Sequence, residues 1–144
     1  MLRKIRLSDA ERIRKINIEE LGYEVSIDLV NQQIKKLSND STHHYFSVYE
    51  DEETANTIGY VHAEIYESLY AEPMFNVMAL AVDKDHHKKG IGKVLMQALE
   101  KEALLRGLTG VRLNSGEIRT EAHKFYEHIG SESNKYQKRF VKFL

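Results

Sequence analysis

The run from Met78 to Met96 constrains this chain most. Apolar Met78-Ala79-Leu80-Ala81-Val82 gives way to charged Asp83-Lys84-Asp85-His86-His87-Lys88-Lys89, and Gly90-Ile91-Gly92-Lys93 then opens an amphipathic stretch. The apolar segment, Phe75 to Val82, has the pattern of a strand covered on both faces in the middle of a sheet. Ile91, Val94, Leu95, Ala98, Leu99 and Leu105 recur on one face of a helix that Gly107 stops. The order is therefore strand, loop, helix. A helix N-terminus carries unpaired N–H groups and partial positive charge, and glycines without Cβ let a phosphate approach them. Lys88, Lys89 and Lys93, with His86 and His87, add positive charge at the same turn, so a pyrophosphate is the natural ligand. The third glycine of a dinucleotide fingerprint and the Gly-Lys-Ser/Thr ending of a P-loop are both missing, which points away from NAD and ATP.

Around this segment the chain reads as one domain, 1–144. Leu2 to Leu7 alternate apolar and basic, as in a half-buried strand, and Ser8 or Asp9 offers an N-cap for a helix with Ile13, Ile16 and Leu21. After Gly22, Ser26 can cap a second helix carrying Ile27, Val30, Ile34 and Leu37. Tyr45 to Tyr49 and Ile58 to Tyr66 predict an antiparallel hairpin across the acidic turn between them. Gly110 to Asn114 reads as another strand. A helix from Thr120 to Ile129 places Ala122, Phe125, Tyr126 and Ile129 on one stripe, and Gln137 to Leu144 is expected as a closing strand.

Composition narrows the chemistry. There is no cysteine among the 144 residues, which excludes disulfides, thiolate metal sites and a cysteine nucleophile. With 21 basic and 22 acidic residues the net charge of -1 supplies no global field for nucleic acid or a membrane surface, and the basic turn has no aromatic stacking platform beside it. No apolar run approaches the roughly 18 residues of a membrane span, so a soluble, cytoplasmic protein is expected.

Two stretches together resemble the GNAT (Gcn5-related) N-acetyltransferase superfamily. His87-Lys88-Lys89-Gly90-Ile91-Gly92 stands where the family has Arg/Gln-x-x-Gly-x-Gly/Ala, and Arg119-Thr120-Glu121-Ala122-His123-Lys124-Phe125-Tyr126-Glu127-His128-Ile129-Gly130 is similar to its Asn-x-x-Ala-x-x-Phe-Tyr-x-x-x-Gly-Phe signature. His87, Arg119 and Ser131 depart from the family residues at their positions. The resemblance implies an α/β (α+β) fold: a mixed, mostly antiparallel central sheet flanked by helices, order β-α-α-β-β-β-α-β-α-β, with central strands splayed apart. It implies acetyl-CoA as co-substrate, its pantetheine arm pairing with exposed backbone of Leu80 and Val82. The implied surroundings of the cofactor are Leu80, Ala81, Val82, His87, Lys88, Lys89, Gly90, Ile91, Gly92, Lys93, Asn114, Arg119 and Tyr126.

Acetylation of an amine needs an oxyanion donor, a proton for the departing thiolate and a base for the ammonium. The resemblance gives the first role to a backbone N–H near Leu80 and the second to Tyr126, whose place on an apolar stripe equally suits a core aromatic. Family members often carry a glutamate where this chain has Asn76, so the base must lie elsewhere. Glu64 ranks first, with His62 on the same strand face and Glu72 as alternatives. His123 and Glu127 could share an ion but lack a third ligand, so no metal is expected. The acceptor is expected between the first two helices and the sheet, walled by Gly22 to Glu24 and by the loop from Tyr66 to Pro73. Tyr66, Glu67, Tyr70 and Glu72 there suit a cationic amine such as a polyamine, an aminoglycoside or a lysine side chain. Because Asn76 cannot act as a base, a catalytically idle acyl-CoA-binding regulatory domain stands as the alternative. The resemblance also makes a homodimer through the edge of the closing strand an expectation.

Overall fold

A computed structural model describes residues 1–144 and divides the chain into two compact units, Met1–Leu113 and Asn114–Leu144. In the first unit β1 (Leu2–Arg3), α1 (Ala10–Ile16), α2 (Ile27–Ser38), β2 (His44–Glu50), β3 (Thr57–Tyr66), β4 (Met74–Val82), α3 (Ile91–Leu105) and β5 (Val111–Arg112) follow in chain order. The five strands form one sheet in the order β1-β2-β3-β4-β5, antiparallel except for the β4–β5 pair, which is parallel. The mixed, mostly antiparallel sheet flanked by helices is the fold the sequence implied.

Alternation along β3 sorts the two faces. Tyr60 and its cross-strand neighbours Val48 and Ala81 pack with Ile13, Ile16, Val30 and Ile34 of α1 and α2. A Cβ at the next residue, Gly59, would lie 3.4 Å from Ile91 Cγ2 and only 3.1 Å from the Ala81 carbonyl oxygen, so the opposite face carries α3, and Gly59 lets its start sit close on the sheet. Leu95, Leu99 and Met96 bury the apolar stripe of α3 there.

The chain start departs from expectation. Only Leu2 and Arg3 pair as strand, because Arg3 turns inward: its guanidinium donates to both carboxylate oxygens of Asp9 at 2.9 and 2.7 Å and to Glu50. Neither Ser8 nor Asp9 caps α1 with its side chain; the Asp9 carboxylate instead accepts the Arg6 N–H at 2.7 Å and the Thr57 hydroxyl at 2.7 Å, closing a single 3₁₀ turn, Leu7–Asp9, that leads into the helix. Ser26 does cap α2, accepting the Leu29 N–H at 3.1 Å. Beyond Ile16 the helix widens into a π turn, Asn17–Leu21, anchored to the sheet by a hydrogen bond from the Tyr60 hydroxyl to Asn17 Oδ1.

In the second unit α4 spans Thr120–His128, and Ala122, Phe125, Tyr126 and Ile129 are its half-buried stripe. The expected closing strand is not formed: residues 137–144 carry no secondary structure, and Phe140, Phe143 and Leu144 are exposed. The reason is legible in the residues. Phe140-Val141 and Phe143-Leu144 put apolar side chains on both faces of any extended backbone, so no single register buries them. The dimer edge expected there therefore has no strand to supply it. No helix is long and apolar enough to cross a membrane.

Candidate functional site

The site begins at an irregularity in β4. His62 pairs with Ala79 and Ala63 with Val77, so Met78 is an extra residue with no partner across the ladder, a β-bulge. On its other side β4 pairs with β5 only at Phe75 and Asn76, and no strand follows it from Val77 to Val82. The sheet opens at the bulge. β4 is consequently not covered on both faces throughout: Phe75 and Ala81 are buried, but Met78 is 51% exposed.

The open edge has a defined polarity. Asp83 N–H donates to the Ile58 carbonyl on β3 at 2.7 Å, and backbone groups alternate sides along a strand. Ala81 and Ala79 therefore face β3, while Leu80 and Val82 present N–H and C=O to the open side.

Just past the strand, Asp83 fixes the turn. It accepts the Asp85 N–H at 3.0 Å and Arg12 Nη2 at 2.9 Å, while Arg12 Nε reaches the Thr57 carbonyl at 3.1 Å. Burial would raise the Asp83 carboxyl, but these bonds and the Arg12 charge outweigh it and hold the pKa below the ordinary value. Arg12 and Asp83 are positioning residues that sequence reasoning missed, and their separation along the chain left no local signal.

Lys88 and Gly90 both take left-handed backbone conformations, φ 62° and 78°, bringing the chain to the start of α3. The first intrahelical bond is Val94 N–H to the Gly90 carbonyl at 3.0 Å, which leaves the N–H groups of Ile91, Gly92 and Lys93 without an intrahelical acceptor. A Cβ on Gly90 would meet no heavy atom within 4 Å, so the backbone here is open to an approaching group. Lys88, Lys89 and Lys93 are exposed beside it. These residues fit a pyrophosphate. His87 does not join them: its Nε2 lies 2.7 Å from the Val82 carbonyl oxygen and 3.2 Å from Glu20 Oε2 on the π turn.

On the face of the sheet shared with α1 and α2, polar groups gather beside the bulge. Glu64 lies across from Asn76, whose Nδ2 donates to Glu64 Oε1 at 3.3 Å and whose Oδ1 accepts from Arg112 Nη1 at 2.7 Å. The Arg112 guanidinium lies over the Tyr66 ring at 4.4 Å, and His43 Nε2 is 3.6 Å from Glu64 Oε2. His62 lies deeper, stacked on Phe46 at 4.1 Å between ring centroids, with its Nε2 3.0 Å from His44 Nδ1. Burial, with His44 alongside, brings the His62 pKa down to about 4, which makes it a poor base. Glu72 and Tyr70 are exposed in the loop beyond, as are Tyr66 and Glu67. No group of three or more His, Asp or Glu side chains is placed to hold a metal ion.

Tyr126, Arg119 and Asn114 belong to the second unit. Burial raises the Tyr126 phenol above its ordinary value against a smaller opposing effect of Arg119, so it is protonated at neutral pH.

A sequence model of the acetyltransferase (GNAT) family matches residues 10–130. Among solved structures, glucosamine-6-phosphate N-acetyltransferase from Arabidopsis thaliana gives a TM-score of 0.79 at 20% identity, covering 98% of this chain and 97% of that one. AAC(6')-Iy, solved with the bisubstrate analog CoA-S-monomethyl-acetylneamine, gives 0.84 at 14% identity over 100% of this chain and 98% of its own. A transcriptional regulator from Bacillus halodurans C-125 gives 0.86 at 14% identity over 99% of each chain. At such identities the likeness is one of fold. No curated protein is matched by this sequence. The family match, which takes in both the glycine turn at Gly90 and the Phe125-Tyr126 helix, is what assigns the chain: it belongs to the acetyltransferase (GNAT) family.

Proposed function

We propose that the protein is an acetyl-CoA-dependent N-acetyltransferase that moves an acetyl group to a primary amine of a small molecule or peptide by direct attack in a ternary complex. The observation that carries this reading is the edge of β4 from the bulge at Met78 to Val82, which has no strand beside it and leads within one short loop to the uncapped N-terminus of α3. A pantetheine arm laid along Leu80 and Val82 would extend the sheet as an added strand does, with its pyrophosphate on the N–H groups of Ile91, Gly92 and Lys93. When bound, the cofactor supplies an activated thioester.

The roles of the chain's own groups follow. The Leu80 N–H, facing the open side, stabilises the oxyanion. Glu64 takes the ammonium proton, directly or through one water, and Asn76 holds that carboxylate in place instead of supplying one itself. Tyr126 donates the proton to the departing thiolate; burial raising its pKa supports a group that stays protonated until the thiolate forms. The acceptor is a cationic amine drawn to the carboxylates and aromatics from Glu64 to Glu72.

The test is calorimetric titration with acetyl-CoA, followed in the same preparation by thiol release against polyamines, aminoglycosides, amino acids and peptide amines. Binding with amine-dependent CoA release is expected. Asn76 standing where relatives often have a glutamate favours one alternative, an idle acyl-CoA-binding regulatory domain, and binding without release across the panel would support it.

A further inference from the structure

We propose that His87 is an internal competitor for the strand-edge carbonyl that the cofactor's pantetheine arm uses, so that it sets how much the pantetheine contributes to cofactor recognition relative to the nucleotide. The inference rests on the reading above that the arm pairs with Val82.

Three observations carry it. First, the Val82 carbonyl faces the open side of β4, because Asp83 and Ala81 face β3. Second, His87 Nε2 lies 2.7 Å from that oxygen. A carbonyl can only accept, so Nε2 carries the proton and donates. Third, the same Nε2 lies 3.2 Å from Glu20 Oε2, another acceptor, on a side chain that is only 15% exposed. One N–H is thus shared between the strand edge and a carboxylate of the π turn. The left-handed residue at Lys88 lets the chain do this: His87 turns back toward β4 while Lys88 and Lys89 continue past it to the start of α3.

An amide N–H of a bound arm would take the place of His87 on Val82, and the displaced Nε2–H keeps Glu20 as its acceptor. The histidine therefore moves from a shared bond to a single one without losing its donor's partner. The cost falls only on ligands that carry the arm. A nucleotide without pantetheine touches the helix N-terminus and leaves the His87–Val82 bond intact.

The experiment compares CoA with adenosine 3′-phosphate 5′-diphosphate, which keeps the pyrophosphate and lacks the arm, by calorimetry on wild type, His87→Ala and His87→Gln, with thermal melting of each variant as a check on folding. His87→Ala should bind CoA about two- to threefold more tightly, the low end of what one neutral hydrogen bond gives because Glu20 retains the displaced donor, with adenosine 3′-phosphate 5′-diphosphate affinity unchanged. His87→Gln restores an N–H donor at similar reach and should return CoA affinity toward wild type. Equal weakening for both ligands in His87→Ala would make His87 a direct phosphate ligand and overturn the proposal, as would unchanged CoA affinity in a well-folded variant. Wild type that binds neither ligand would instead refute the acetyltransferase reading itself.

Discussion

The burial of His62 has a measurable consequence for stability. Its imidazole stacks on Phe46 and meets His44 at 3.0 Å, with His43 and Glu64 beyond, and burial takes its pKa from 6.5 to about 4. The folded state thus resists protonation at a site that the unfolded chain protonates freely. Between pH 6.5 and 4 the unfolded state binds more protons, so stability is complete above 6.5 and falls as pH drops toward 4. The whole shift corresponds to about 3 kcal/mol, of which about 2 kcal/mol is lost between pH 8 and pH 5. In urea unfolding that loss moves the midpoint down by about 1 M. The informative quantity is the difference between wild type and His62→Gln, which keeps an amide near the His44 nitrogen but cannot gain a charge. The variant should be less stable at pH 8, having lost the stack on Phe46, yet its midpoint should fall much less between pH 8 and 5. An equal fall in both proteins would show that His62 is not the group being protected.

Other perturbations test the remaining parts. Gly90→Glu should abolish CoA binding, by about 100-fold or more in calorimetry, because it sets a carboxylate at the phosphate turn and forces a side chain onto a left-handed backbone; its melting temperature should fall only modestly, since no neighbour lies within 4 Å of the added Cβ. Tyr126→Phe should lower kcat by about 100-fold with CoA affinity unchanged, as loss of a general acid does, and an unchanged kcat would return Tyr126 to the status of a packing residue. Glu64→Gln should lower kcat/KM near neutral pH and recover part of it as pH rises and the free amine becomes abundant; a uniform loss at every pH would argue against its role as base. Asp9→Ala leaves Glu50 as the one carboxylate paired with Arg3 and should cost about 2 kcal/mol in urea unfolding at pH 7, the scale of a lost charged hydrogen-bond pair. That deficit should shrink in acid, because the Asp9 carboxyl, raised by burial but lowered more by Arg3, Thr57 and the Arg6 N–H, contributes stability that is lost as pH falls through its depressed folded pKa.

Local chemistry was what the sequence made legible. Ser26 announces its helix because a hydroxyl three residues before an N–H is a complete cap, and the acidic turn between Tyr49 and Ile58 separates two alternating runs that can only pair with each other. The glycine turn at Gly90 is equally local: a left-handed residue, an uncapped helix start and three lysines within six positions. Where reading failed, a distant partner decided the outcome. Asp9 looks like an N-cap to any local rule, yet Arg3 and Thr57 claim its carboxylate. Residues 137–144 look like a strand by hydropathy, but no register serves their two apolar pairs.

The bulge at Met78 shows why the candidate site was only half readable. No residue type in Phe75 to Val82 signals an extra residue in the ladder; it exists only relative to the pairing of His62 with Ala79 and Ala63 with Val77. Yet it reverses which backbone groups face the open side between Val77 and Leu80, and so decides that Leu80 and Val82, not Ala79 and Ala81, offer their amides there. It also lies between Asn76, which brings Glu64 and Arg112 together, and the edge that ends at His87. A regular strand in place of the bulge would turn the amides of Leu80 and Val82 toward β3 and leave those of Ala79 and Ala81 at the open edge. The oxyanion role proposed for the Leu80 N–H and the competing bond of His87 to Val82 thus depend on one geometric feature that only the folded sheet supplies.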